Sequence, residues 1–270
     1  MNTIYNTGET AEELKRKYNY DGSSLREAQL RMIEMLSFLD KVCKENNITY
    51  FIAFGTLLGA KRHEGFIPWD DDMDVYIDAY DLKKLRKIIN TANYKYVVQD
   101  NTSDRGFVRY YNVLRDLSSE YIKDEFLHNQ RKYRGVQIDL FPYDFGIFKI
   151  GKKIINKTIW LNENYLLGKH PNLSQYLFSF TRNIVIPFFR LISRIKGKKY
   201  ISLGYEGIDF GYTYLASDVF PLNYVNFEGI MVPAPKEIDK ILIKDYGVNY
   251  NELPNIEQRN QHKVSEIKFW

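Results

Sequence analysis

Four aspartates, Asp70, Asp71, Asp72 and Asp74, stand within one short stretch flanked by Phe66, Ile67, Trp69, Val75 and Ile77. Acid and apolar residues alternate along Asp72-Met73-Asp74-Val75. On a strand, residues two apart project to the same side, so Asp72 and Asp74 would share one face while Met73 and Val75 enter the core. Two carboxylates that close repel unless a cation lies between them. A hard divalent ion, magnesium or in its place manganese, meets that need and commonly joins protein carboxylates to substrate phosphates. A solvated acidic loop is the plain alternative. The apolar flanks speak against it, because paired carboxylates in such surroundings tend to be functional.

A third carboxylate is expected on a neighbouring strand. Asp139 interrupts the strand-like run Val136-Gln137-Ile138-Asp139-Leu140-Phe141-Pro142 and is either that ligand or a strand-end acid before Pro142. Asp144 is the second choice. Upstream, Gly55-Thr56 breaks an apolar strand. It reads as a strand-to-helix turn with Thr56 as cap, and also as a helix N-terminus whose N–H groups would hold phosphate oxygens. Lys61, Arg62 and His63 either neutralise phosphates or are solvated. Trp69 stacks on a base or a cationic head group, or else covers the core. Arg109 and Arg115 flank Tyr110-Tyr111-Asn112-Val113-Leu114 and either reach a diphosphate or pair at the surface. Asp71 is grouped with these substrate contacts. The four histidines lack metal-ligand spacing, which argues against zinc.

Periodicity predicts the elements that must position these groups. Residues 1–22 read as a polar arm. Ser24 and Glu27 have capping-box spacing, and Leu25, Ala28, Met32, Met35 and Leu39 follow with a helical period. Strands are predicted at 50–54, 73–77, 94–99, 107–114 and 136–140. Helices are predicted at 57–62, 78–90 and 235–246, the last stopped by Gly247, and a hairpin turns at Glu228-Gly229. This order indicates a mixed α/β or α+β domain.

Composition narrows the class. The chain has 270 residues, 44% of them hydrophobic, enough for a substantial core. Its single cysteine, Cys43, excludes an internal disulfide and a multi-cysteine zinc site. A net charge of +4 is too mild to imply nucleic acid. No apolar run resembles a signal peptide or a membrane span, and a cytoplasmic protein is expected. The charge is unevenly spread. Residues 145–205 hold one acid, Glu163, against eleven Lys or Arg, and the apolar stretch 173–195 is interrupted by Arg182, Arg190 and Arg194, with Pro187 expected to kink it. This segment reads as a basic helical insertion between a core at 23–144 and its return at 206–270. It is either a solvated helical face on the core or a surface for an anionic membrane or polymer, the inner face of the cell membrane included.

The runs Gly55-Thr56-Leu57-Leu58-Gly59-Ala60 and Gly65-Phe66-Ile67-Pro68-Trp69-Asp70-Asp71-Asp72-Met73-Asp74-Val75, with Arg62 between them, closely resemble the signature of the LicD family. Its members are phosphotransferases that use cytidine-diphosphate-activated donors. Ile138-Asp139-Leu140-Phe141-Pro142 is similar to the family's downstream acidic strand, Val219 through Pro235 to its C-terminal hairpin, and Asp245-Tyr246-Gly247 to the end of its final helix. The likeness is weakest in the insertion. The resemblance implies an α+β, nucleotidyltransferase-like fold with a mixed central sheet plus the helical insertion. It places metal carboxylates at Asp72, Asp74 and Asp139 and phosphate contacts at Gly55 and Thr56, with Lys61 or Arg62 assisting. Two departures stand out: a longer gap between Gly55 and Asp72 than in typical nucleotidyltransferases, and no cysteine cluster like that of the family's distant animal relatives, the fukutin-related proteins.

The implied reaction moves a phospho-alcohol, phosphocholine first, from a CDP-alcohol such as CDP-choline to a sugar hydroxyl, and CMP leaves. The acceptor would be a teichoic acid, capsule or lipopolysaccharide precursor, lipid-linked forms included. Asp139 or Asp74 would take the acceptor proton. The alternatives are nucleotidyl transfer on the same fold, a glycosyltransferase with a D-x-D metal site, and a non-catalytic docking module.

Overall fold

Alternating apolar residues build the central sheet of this computed structural model, which describes residues 4–92, 94–122, 129, 131–146, 148–195, 197–206, 212–259 and 266–270. Strands β1 (Tyr50–Ile52), β2 (Asp74–Asp78), β3 (Tyr96–Gln99), β4 (Asn112–Asp116) and β6 (Gln137–Phe145) lie in the order β1-β2-β6-β4-β3. β7 (Tyr200–Leu203) adds to β6, and β8 (Thr213–Leu215) to β7, giving seven strands. Only β2 and β6 run parallel, so the sheet is mixed, as expected for an α+β chain. β6 is its spine. Its first half pairs with β4 and its second half with β7, and for that reason it runs on to Phe145, past the predicted end at 140.

Helices α2 (Ser24–Glu45) and α4 (Ala79–Thr91) bring Met32, Met35, Leu36, Leu82 and Leu85 into one core with Ile52, Val75, Ile138 and Leu140. α3 (Phe54–His63) leaves β1 directly, and the loop after it folds back along the helix. That return requires Gly59, where a Cβ would stand 2.4 Å from the Gly65 carbonyl oxygen. The hairpin of β9 (Asn223–Phe227) and β10 (Ile230–Ala234) turns at Glu228-Gly229 as expected. The final helix, Ile238–Tyr246, stops at Gly247, whose φ is +88°. β5 (Ser119–Ile122) pairs with the C-terminal strand Glu266–Phe269.

Several local expectations are corrected. The polar arm contains α1 (Ala11–Tyr18), opened by a Thr10–Glu13 capping box and anchored by fully buried Leu14. Ser23, not Ser24, caps α2, accepting from the Arg26 N–H at 3.2 Å. The strand predicted at 107–114 begins only at Asn112. Phe107 and Tyr110 before it are buried without joining the ladder.

The insertion is helical. It comprises α5 (Lys149–Leu161), a π turn (Asn162–Leu166), α6 (Pro171–Phe180), a second π turn (Thr181–Val185) and α7 (Ile186–Ile195). Pro187 falls at the start of α7, directly after the π turn, where the missing N–H is accommodated. A second small core joins Ile155, Ile159, Phe178 and Ile186 to Tyr110 and Tyr205. The arginines that interrupt the apolar run face inward. Arg182 pairs with Asp100 at 2.8 Å, Arg190 with Asp144 at 2.8 Å and Glu206 at 2.7 Å, and Arg194 with Asp78 at 2.7 Å. Among the described residues no helix is long and apolar enough to cross a membrane.

Candidate active site

Asp74 opens β2, Asp139 lies early on β6, and the two face each other in register across the one parallel pair of strands. The backbone holds them there. The Asp139 N–H donates to the Met73 carbonyl at 2.8 Å, and the Ala53 N–H donates to the Asp74 carbonyl at 3.0 Å. Thr56, expected as a helix cap, instead accepts from the Asp74 N–H at 2.8 Å and so clamps α3 to the start of β2. Asp72 lies just before β2, so it approaches the pair from the loop rather than from the strand face.

The electrostatics are those of crowded like charges. Burial pushes the Asp74 carboxyl well above the usual range, and Asp72, Asp139 and Asp70 push it further. Asp139 is raised by burial to about 6, with Arg109 and Arg115 pulling it down and Asp72 pushing it up. Asp70 is also raised, by burial first and Asp72 next. The Asp70 backbone carbonyl accepts from Gln29 Nε2 at 2.9 Å, and its carboxylate lies against Gly55, where a Cβ would stand 2.9 Å away. A side chain at position 55 would therefore displace an acid from the start of α3.

The all-oxygen donor set suits magnesium. Among the described residues no three acid, His or Cys side chains already converge on one metal point. Magnesium is commonly held by one or two carboxylates together with substrate phosphates rather than by an all-protein cage. The Asp74–Asp139 pair, with Asp72 beside it, fits that half of a coordination shell.

The other predicted contacts divide. Arg109 belongs to the site: its charge acts on Asp139, and it donates to the Tyr111 hydroxyl. Asp71 lies in the same loop, where its charge reaches Asp70 and Tyr121. Arg115 does not reach the surface. It is 1% exposed and donates to Gln99 Oε1 at 2.7 Å and the Gly135 carbonyl at 2.8 Å, and burial pushes its guanidinium down to about 9. Lys61 pairs with Asp239 at 2.8 Å. Arg62 donates to the carbonyls of Tyr250 and Glu252 at 3.1 and 3.0 Å. Both tie α3 to the C-terminal segment. Trp69 is buried, and its cationic partner is this chain's own Arg259, 4.9 Å from the ring. Asp144 is committed to Arg190.

Sequence reasoning missed three groups. Gln137 Nε2 donates to Asp139 Oδ1 at 2.6 Å; it stands two residues earlier on the same strand, so strand alternation was the available signal. Tyr111 sits beside Asp139, and burial first, with Asp139 second, raises its hydroxyl. An aromatic wall adjoins the acids. Phe54 packs on Tyr76, Phe141 and Tyr212 at ring distances of 5.3, 5.5 and 4.7 Å, and Tyr111 on Phe141 at 4.8 Å. Phe54 has a φ of +45°, a left-handed conformation unusual for an aromatic residue and held by this packing.

Residues 47–170 match the family model described as LicD/FKTN/FKRP, nucleotidyltransferase domain. The lipopolysaccharide cholinephosphotransferase LicD of Haemophilus influenzae is 25% identical over 269 aligned residues, which span 90% of this chain and 97% of that protein. An uncharacterized protein of Rickettsia prowazekii is 28% identical over 148 residues, 53% of this chain and 52% of its own length. Another, from Rickettsia typhi, is 31% identical over 118 residues, 43% of this chain and 35% of its own length. The matched stretch contains both β2 and β6, the strands that carry Asp74 and Asp139, and over it the chain is similar to the LicD family.

Proposed function

We propose that this protein is a phosphotransferase that moves phosphocholine from CDP-choline to a sugar hydroxyl of a cell-surface glycan precursor. The observation that carries the reading is the buried, in-register pair Asp74–Asp139, with Asp72 and Asp70 adding like charge, in a domain shared with a cholinephosphotransferase. Magnesium would be held by Asp72, Asp74 and Asp139 and would neutralise the donor diphosphate. The acceptor oxygen forms a bond to the phosphorus that bears choline. The phosphoanhydride bond breaks, and CMP leaves with the bridging oxygen. The acceptor proton passes to a carboxylate. Asp139 or Asp74 would take it, and Gln137 Nε2 orients Asp139 by donating to its Oδ1. Thr56 fixes Asp74, and Arg109 adds positive charge at the Asp139 side. The aromatic wall of Phe54, Phe141, Tyr111 and Tyr212 supports choline over a polyol, since a quaternary ammonium is attracted to ring faces.

Calorimetric titration with CDP-choline, CDP-glycerol, CDP-ribitol and UDP-glucose, with and without magnesium, tests the reading. Magnesium-dependent binding that favours CDP-choline, followed by CMP release on adding acceptor glycan, is the expected result. Binding of UDP-glucose alone would replace the reading with a glycosyltransferase. The family's nucleotidyltransferase domain keeps one rival in view, transfer of the nucleotide itself. Nucleotide found attached to the acceptor, in place of free CMP, would establish it.

A further inference from the structure

The insertion buries one apolar side in a small core and exposes a second apolar row on its outer side. Leu173, Tyr176, Phe180, Ile184, Phe188 and Leu191 recur every three or four residues and are all exposed, Tyr176 to 75%. Ile195, 77% exposed, extends the stripe to the end of α7. Four-residue steps overshoot a full α-helical turn by about 40° each. The wider π turn at Thr181–Val185 absorbs part of that drift and keeps the apolar row on one side of the helices. α5 adds exposed Ile150, Ile154 and Trp160. The inward side mixes the small core with polar groups: Ser174, Thr181, Arg190 and Ser193 are buried, and buried Lys152 donates to the Gly204 carbonyl at 2.7 Å. An ordinary surface helix turns polar residues outward, and contiguous exposed apolar patches of this kind mark interaction sites.

Charge selects the occupant. The segment 145–205 has eleven basic residues and one acid, and exposed Lys149, Lys153, Lys157 and Lys169 lie beside the apolar rows. A second copy would bring one basic face onto another. A soluble polyanion would satisfy the lysines and leave Tyr176, Phe188 and Ile195 in water. An anionic lipid surface satisfies both, with the apolar row among the acyl chains and the lysines at the head groups. The described helices are not long and apolar enough to cross the bilayer, so the segment lies in its plane.

We propose that the outer face of α5, α6 and α7 docks this protein on a bilayer that contains anionic lipid. The inference stands independently of which group the enzyme transfers. Its test is co-sedimentation of the full chain with vesicles of phosphatidylcholine alone or mixed with phosphatidylglycerol, at low and high salt. Strong binding to mixed vesicles, weakened by salt, is expected. The double variant F188S/L191S should bind about tenfold or more weakly, since each residue removes an exposed apolar side chain that would be buried in lipid. Its thermal midpoint should stay unchanged because both residues are exposed. K153Q/K157Q should lose the preference for mixed vesicles.

Absence of sedimentation with either vesicle, or equal binding by F188S/L191S, would overturn the proposal. A dimer in light scattering that dissociates in F188S/L191S, with no vesicle binding, would assign the face to self-association instead. D74N should bind vesicles like the unaltered chain. If it does while turnover is lost, docking and chemistry are separable. If the unaltered chain processes a soluble acceptor yet ignores vesicles, docking alone falls.

Discussion

The sheet and the insertion both bury charge, and they do it in opposite ways. In the insertion each arginine meets an acid: buried Arg190 meets Asp144 and Glu206, and half-buried Arg182 and Arg194 meet Asp100 and Asp78. In the sheet, Asp74 and Asp139 are buried beside the loop acids Asp70 and Asp72, and the carboxyls of Asp70, Asp74 and Asp139 are raised. The first pattern is self-sufficient and fastens one part of the chain to another. The second is left with like charge in excess: Arg109 and Arg115 act on Asp139, while Asp74 is pushed up by Asp72, Asp139 and Asp70. Buried charge is therefore informative by its balance rather than by its presence.

Breaking one member of each set sharpens the contrast. Asp74→Asn and Asp139→Asn should each lower turnover by about a thousandfold or more, because charge neutralisation at the transferring phosphoryl group is lost. Thermal unfolding of both variants should stay level or rise, since a mutual repulsion is removed. A drop in stability that accounts for the lost activity would defeat the comparison. Arg190→Met should do the opposite. It strands two carboxylates, Asp144 and Glu206, and should cost about 3–5 kcal/mol in denaturant unfolding, with activity per folded molecule retained.

Smaller effects separate positioning from chemistry. Thr56→Val leaves the buried Asp74 N–H without its acceptor and should cost about 1–3 kcal/mol, with Thr56→Ser restoring most of it. His63 supplies a pH signature away from the acids. Burial first, and Arg62 second, push its imidazole down to about 3, so it is neutral when folded and accepts from Arg62 Nε at 2.9 Å. The unfolded chain takes up that proton near pH 6.5. The stabilisation is thus complete above that pH and is lost as pH falls toward 3. Unfolding curves across that window should steepen in wild type relative to His63→Gln. Parallel curves would remove His63 from the account.

Much of the frame was legible in the linear order of residues. The strand that Asp74 opens, the apolar run around Asp139, the Glu228-Gly229 hairpin and the Gly247 stop each act over a few residues, and local periodicity carries them, whereas Asp72 falls before the strand. The same local rule extends to Gln137 and to the Thr10–Glu13 cap.

What tertiary structure decided was the partner of each long side chain. Lys61 reaches Asp239, Arg62 the carbonyls near 250, Trp69 the Arg259 guanidinium, and Arg115 the interior beside Gln99. These partners mostly lie far away in sequence, and flexible cationic side chains turn toward whichever acceptor the fold brings near. Tertiary structure also decided the insertion. Its composition announces a basic amphipathic segment. Only the core acids Asp78, Asp100 and Asp144 determine that the arginines turn inward and the aromatic and aliphatic row is left facing out.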